Sequence, residues 1–361
     1  MTVLYILGGL VLLVVGGDLL VRWASRLATG LGVSSMVVGL TVVAFGTSAP
    51  ELAVSLAAAW NGKPEIALGN VVGSNIFNVL FILGLSALVA PLMVQRSFLR
   101  RELPIMIVSS VLMMVVALDG RVSRPEGLFL FAGAVAFTWW LVREGRRQTR
   151  LQKSKQANVP EVADELEEEA PPPRMALLVL GILFSLGLLV AGSKLLVAGA
   201  TAVAQELGVS DLVIGLTIVA AGTSLPEVAA SVAATLRGER DMAIGNVVGS
   251  NIFNILIVLG GSAALSPIGM AVPPAAMAFD IPVMIAVALL CLPVFLSGAR
   301  ISRLEGFLLL ALYAGYTALL GLASVGAVVD RSSVMTGFVA AVALVLGWEF
   351  WRARRPVAEP D

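Results

Sequence analysis

Two glutamates, Glu51 and Glu227, lie inside long apolar stretches, and each follows the same polar pair: Thr47-Ser48 in one case, Thr223-Ser224 in the other. An ionised carboxylate at membrane depth is costly unless something compensates it, which makes such residues markers of function. Helical spacing places Thr47, Glu51 and Ser55 on one stripe, and Thr223, Glu227 and Ser231 on its counterpart. Pro50 and Pro226 stand one residue before each acid. A proline brings no N–H and clashes with the carbonyl four residues back, here Gly46 or Gly222. The chain is therefore expected to unwind at these points, freeing carbonyls near Ala44 and Ala220 to point inward. Irregular backbone of this kind is tolerated in a membrane only where it lines a cavity or is buried in protein.

The next apolar stretch of each half adds amides and a hydroxyl. Asn70, Ser74 and Asn78 share a helical face, as do Asn246, Ser250 and Asn254, with Asn75 and Asn251 on a neighbouring face. Singly, Ser, Thr and Asn in membrane helices serve as hydrogen bonds between helices. Two symmetric acids with no cation in either motif depart from that reading. The assembled groups are all oxygen donors, which hard cations such as Ca²⁺ and Na⁺ select, whereas zinc and copper favour imidazole and thiolate. The chain has no histidine and a single cysteine, Cys291. Two negative charges match one Ca²⁺ or two Na⁺, and competition for one site would couple their opposite movements.

These groups come in two copies. Ala44 to Ala59 and Ala220 to Thr235 agree at ten of sixteen positions, and GNVVGSNIFN recurs unchanged at Gly69–Asn78 and Gly245–Asn254. LGVS precedes both copies, at Leu31 and Leu207, and the run from Arg121 to Gly127 resembles that from Arg300 to Gly306. The glycines Gly69, Gly73, Gly245 and Gly249 form GxxxG patterns that permit close helix packing.

The elements that carry them are membrane helices. Hydrophobic residues make up 58% of the 361 residues and charged ones 13%, where a soluble domain carries about a quarter charged. Apolar segments fall at roughly 2–21, 34–60, 65–92, 103–118, 126–142, 175–203, 210–236, 242–265, 279–297, 304–323 and 334–351. They are too long and too evenly apolar for barrel strands. The expected fold is an all-α membrane protein of ten helices in a 5+5 inverted repeat, plus an eleventh C-terminal helix. An odd number of helices per copy turns the second copy upside down, the arrangement of many secondary transporters. The expected organisation is a first five-helix repeat at 1–142, a linker at 143–174, a second repeat at 175–325, and an extra helix and tail at 326–361. The first segment lacks a basic leader and has a mid-chain counterpart, so it reads as a retained helix.

The linker opens basic, turns acidic from Glu161 to Glu169 and closes on Pro171, Pro172 and Pro173. It reads as a disordered connector, since its acids lack the spacing and turn glycine of a calcium loop. With the N-terminus outside, nineteen Lys and Arg face the cytoplasm against four outside (Lys63, Arg121, Arg124 and Arg331). This positive-inside bias puts the linker and C-terminus in the cytoplasm of a cell (inner) membrane protein. Asp18 and Lys194, at equivalent positions of the first and sixth helices, read as interface anchors. Net charge is zero, so no nucleic-acid partner is expected; oligomeric state is not encoded in these patterns.

At the paired GTSxPE and GNxxGSNxxN motifs the sequence resembles the cation/calcium exchanger superfamily, and within it the prokaryotic sodium/calcium exchangers, over about residues 1–325. The resemblance implies an ion site between the second, third, seventh and eighth helices. Thr47, Ser48, Glu51, Ser74 and Asn78 would bind from one half, and Thr223, Ser224, Glu227, Ser250 and Asn254 from the other. The carbonyls of Ala44 and Ala220 would join them, and the first and sixth helices would slide as the gate. Some members carry aspartate where this chain has Asn254, so the site here is symmetric, with two acids rather than three. The implied activity is Na⁺/Ca²⁺ antiport with no cofactor. Ca²⁺/H⁺ or K⁺-dependent antiport is the rival on the same scaffold. An intramembrane acid/base enzyme is disfavoured because no histidine or nucleophile–base constellation accompanies the acids. A channel would lack strict counter-ion dependence.

Overall fold

A computed structural model describes residues 1–156, 175–208, 220–296, 299–324 and 337. The acidic part of the linker lies outside these residues, as do the stretch from 209 to 219 and, apart from residue 337, the expected eleventh helix. The described chain runs α1 (Thr2–Leu31), α2 (Ser35–Thr47), α3 (Ala49–Trp60), α4 (Pro64–Val89), α5 (Glu102–Val116), α6 (Arg124–Gln156), α7 (Met175–Glu206), α8 (Leu225–Leu236), α9 (Arg240–Leu265), α10 (Ala276–Leu296) and α11 (Arg303–Ser324). α6 continues fourteen residues past the expected end at 142, because the basic run that follows consists largely of good helix formers such as Arg, Gln and Lys.

The second expected helix is two pieces. α2 and α3 meet at Ser48 with a bend of 43°. Pro50 occupies the first turn of α3, and Pro226 that of α8. Proline is welcome there because its missing N–H would be unpaired anyway. It thus starts a new helix rather than merely kinking an old one. Ser48 (φ −81°, ψ 6°) and Ser224 (φ −91°, ψ 6°) are the matching breaks.

The halves interlock through equivalent contacts. β1 (Leu92–Met93) pairs antiparallel with β4 (Arg300–Ile301), and β2 (Arg121–Val122) with β3 (Met270–Ala271). In each ladder one strand comes from each half. Beside them, Ser123 and Ser302 begin α6 and α11 with a capping-box glutamate, Glu126 or Glu305, accepting the serine backbone N–H. Arg124 then donates to the Ala264 carbonyl at the end of α9 (3.1 Å), and Arg303 to the Val89 carbonyl at the end of α4 (3.3 Å). The loosely matching 121–127 and 300–306 segments are therefore the same docking device used twice.

Burial separates the helices into two classes. α4 and α9 are largely buried, and α9 packs so closely on α2 that a Cβ at Gly249 would lie 2.7 Å from the Leu40 carbonyl oxygen. α1, α6, α7 and α11 show Leu, Val and Phe side chains such as Leu4, Val14, Phe129, Phe184 and Phe307 outward. A surface so apolar suits lipid. α1 and α7 pack lengthwise on one another at the edge of the core.

Candidate ion site

Restarting the helix at Pro50 and Pro226 has a direct consequence for the acids. Glu51 and Glu227 fall in the first turns of α3 and α8, where free N–H groups and the helix dipole favour negative charge. Both are buried, at 1% exposure each. Each is held by a serine of the opposite half. Ser48 donates to Glu227 Oε1 at 3.0 Å, and Ser224 to Glu51 Oε1 at 2.9 Å. Because Ser48 immediately precedes α3 and Ser224 immediately precedes α8, these bonds bring the two breaks and both acids into one centre.

The ion pairs among the described residues involve Asp18, Asp119 and Glu144, not either of these acids. No group of three or more His, Cys, Asp or Glu forms among the described residues. The protein charge of the centre is therefore set by two carboxylates. In each, the second oxygen, Oε2, has no hydrogen-bond partner, and the same holds for Asn78 Oδ1, Asn254 Oδ1 and Ser250 Oγ. Leaving buried carboxylate oxygens unmatched is expensive. A cation coordinated by them removes that cost, and these donors are the hard-oxygen set that Ca²⁺ and Na⁺ take.

The remaining expected residues take graded positions. Ser74 lies 3.2 Å from the Ser224 hydroxyl, on the same cross-half network. Thr47 donates to the Val43 carbonyl at 3.0 Å and reaches Asn246 Oδ1 at 3.3 Å; Thr223 reaches Asn70 Oδ1 at 3.4 Å. The threonines thus tie the halves together. The Ala44 carbonyl departs from expectation: it is not freed, since it accepts the Ser48 backbone N–H at 3.1 Å. The helical bond survives because Pro50 withholds its N–H from Gly46, two residues further on, and leaves the Ser48 N–H to bond Ala44. The Thr47 hydroxyl also reaches that oxygen, at 3.4 Å. Ala220 begins the short turn Ala220–Gly222.

Several residues matter here that spacing placed on or beside the polar faces but that the resemblance did not assign as ion ligands. Asn70 donates to the Glu51 carbonyl (3.1 Å) and Ser55 Oγ (2.9 Å), and Asn246 to the Glu227 carbonyl (3.3 Å) and Ser231 Oγ (2.9 Å). These amides lock α3 to α4 and α8 to α9. Asn75 and Asn251 cross the midline and touch Asn254 and Asn78, backed by Met284 and Met106. The available signals were the unchanged decapeptide and the shared pattern of Glu102-Leu-Pro-Ile-Met106 and Asp280-Ile-Pro-Val-Met284.

Known proteins resemble this chain in sequence and in fold. The family described as sodium/calcium exchanger protein matches residues 1–143 and 177–322. The putative antiporter CaxA of Alkalimonas amylolytica is 43% identical over 325 residues, covering 88% of this chain and 98% of that protein. The sodium/calcium exchanger MaX1 of Methanosarcina acetivorans is 37% identical over 343 residues, covering 88% and 97%. Among solved structures, the sodium-calcium exchanger NCX_Mj soaked without Na⁺ and Ca²⁺ superposes with a TM-score of 0.74 at 32% identity, covering 88% of this chain and 98% of that one. The same exchanger soaked with 10 mM Na⁺ and 10 mM Sr²⁺ gives 0.73.

Proposed function

The chain belongs to the sodium/calcium exchanger family, and from that premise we propose that its centre is one ion site, built from mirrored halves, at which Ca²⁺ and Na⁺ compete. The protein is a multi-pass membrane antiporter, not an enzyme, and exchanges Na⁺ for Ca²⁺ by alternating access. The observation that carries the site is the mirrored set of unmatched oxygens on Glu51, Glu227, Asn78 and Asn254, joined by serine–glutamate bonds across the halves. Thr47, Ser48 and Ser74, with Thr223, Ser224 and Ser250, complete the polar lining, together with the backbone oxygens of Ala44 and Ala220.

Two carboxylates neutralise one Ca²⁺ or two Na⁺, so a site filled with one ion repels the other. Strict replacement follows from charge alone. The N-terminus is assigned to the outside and the linker to the cytoplasm, on the nineteen-to-four distribution of basic residues. The paired loops support this topology: 92–93 with 300–301 on the assigned inner side, 121–122 with 270–271 on the outer. The test is Ca²⁺ uptake into proteoliposomes preloaded with Na⁺, compared with vesicles loaded with K⁺ or carrying only a pH gradient. Uptake that requires internal Na⁺ and disappears in Glu51→Gln and in Glu227→Gln is the expected result. Normal transport by either variant would displace the site.

A further inference from the structure

We propose that Asn75 with Met284, and Asn251 with Met106, are positioning residues that fix which end of the Asn254 and Asn78 amides faces the ion. The inference rests on reading Asn78 and Asn254 as ion ligands. An asparagine amide presents either an oxygen, which a cation attracts, or an NH₂, which a cation repels. Its shape is nearly the same both ways, so something outside it must choose.

The chain of contacts makes that choice twice. Asn78 Nδ2 donates to Asn251 Oδ1 at 3.0 Å, and Asn251 Nδ2 lies 3.6 Å from Met106 Sδ. In the mirror copy, Asn254 Nδ2 donates to Asn75 Oδ1 at 3.1 Å, and Asn75 Nδ2 lies 3.5 Å from Met284 Sδ. Asn75 Nδ2 also reaches the Asn251 carbonyl at 3.4 Å. All four asparagine and methionine side chains of the crossing pairs are buried.

A thioether accepts a hydrogen bond but has none to give. It therefore favours the orientation in which the bridging asparagine turns its NH₂ toward sulfur and its oxygen toward the ligand asparagine. That oxygen in turn draws the ligand's NH₂, leaving Asn78 Oδ1 and Asn254 Oδ1 as the ends without a protein partner. Reversing a bridge would reverse the ligand amide and set two N–H groups against the cation. The methionines come from α5 and α10, helices to which the spacing of the GTSxPE and GNxxGSNxxN motifs gave no part in the site. They occupy equivalent positions four residues after an acid, in Glu102-Leu-Pro-Ile-Met106 and Asp280-Ile-Pro-Val-Met284.

Met106→Leu removes the acceptor of the Asn251 amide, and Met284→Leu leaves the Asn75 amide only its 3.4 Å contact with the Asn251 carbonyl; both nearly conserve volume, a class of swap that cores tolerate. Each variant should remain monodisperse and melt near the parent temperature. Where the bridge can reverse, only part of the population binds, so KM for Ca²⁺ rises by the inverse of that fraction, about three- to tenfold, with Vmax retained. Adding Met284→Leu to Asn75→Leu should raise KM no further, because the sulfur acts only through that amide. Unchanged KM in both folded methionine variants overturns the proposal. So does a fall in Vmax at constant KM, or a full additional effect of Met284→Leu in the Asn75→Leu background. None of these results touches the glutamate site, whose failure would show instead as transport by Glu51→Gln.

Discussion

The inner surfaces of the two halves repeat most of their side-chain contacts, whereas their outer ends do not. At the centre, serine–glutamate, threonine–asparagine and asparagine–methionine contacts each occur twice. Toward the ends of α1 and α7 the symmetry fails. Gly17 of α1 lies against α8, where a Cβ would sit 2.7 Å from the Ala229 carbonyl oxygen. Its mate Ser193 on α7 instead donates to the Gly222 carbonyl, one that Pro226 cannot serve. One residue on, Asp18 pairs with Arg22 at 3.0 Å and with Arg237. Ser25 donates to Glu239 at 2.8 Å. The mates of these groups are Lys194 for Asp18, Asn61 for Arg237, Thr201 for Ser25 and Lys63 for Glu239, which cannot reproduce an ion pair.

Exposure follows the same division. Ala53 and Ala57 of α3 are exposed, while their mates Ala229 and Ala233 on α8 are half-buried. α1 thus covers α8 at the Asp18 end, whereas the corresponding face of α3 is uncovered. An exchanger needs a centre that looks alike from both sides, because the same ions must be held in both states. Its ends are free to differ, and their difference sets which state is lower in energy.

The largest expected effect tests the symmetry of the centre. Glu51→Gln and Glu227→Gln should each reduce Na⁺-dependent Ca²⁺ uptake by on the order of a hundredfold or more, as expected where about 3 kcal/mol or more is lost on unbalancing a buried charge set. Unequal losses would show that the halves do not share the ion equally. Next comes packing. Gly249→Ala should destabilise the fold by about 1–3 kcal/mol, because its Cβ meets backbone that cannot move aside cheaply. The mate Gly73 is exposed, so Gly73→Ala should leave the melting temperature in detergent within a degree or two, on the order of 0.5 kcal/mol or less.

The smallest effect belongs to the ends. Asp18 and Arg237 are 38% and 32% exposed, and an ion pair of that kind is worth up to about 1 kcal/mol. Asp18→Asn should therefore shift the balance of states by about two- to fivefold. Single cysteines placed at Ala53 and Ala229, with Cys291 replaced by Ala, read the shift as slower alkylation at the first and faster at the second. Transplanting the pair with Lys194→Asp and Asn61→Arg should favour closure of the opposite end. No change in either alkylation rate would remove the charge pair from the energetics of gating.

Much of this was legible in the sequence. Two acids in apolar runs, a duplicated motif and helix-length hydrophobic segments follow from composition and periodicity, because solvation decides them residue by residue. The resemblance carried by those motifs named the ions. Other features depend on where distant segments meet. The partner of Asp18 is 219 residues away, and spacing read it as an interface anchor. The Ala44 carbonyl keeps its backbone bond because of where the helix restarts. The expected end of the fifth helix at 142 was displaced because the charged run beyond it favours helix as well as linker.

The amino-acid order thus determined the kinds of donor, their number and their duplication, since burying a carboxylate or starting a helix at proline is a local matter. Tertiary structure decided which oxygens face each other, which way each amide turns, and which end is covered. Those choices rest on hydrogen bonds and contacts between residues some 145 to 219 positions apart. A one-dimensional pattern carries no record of such distances, because the energy of each contact exists only once both halves are folded together.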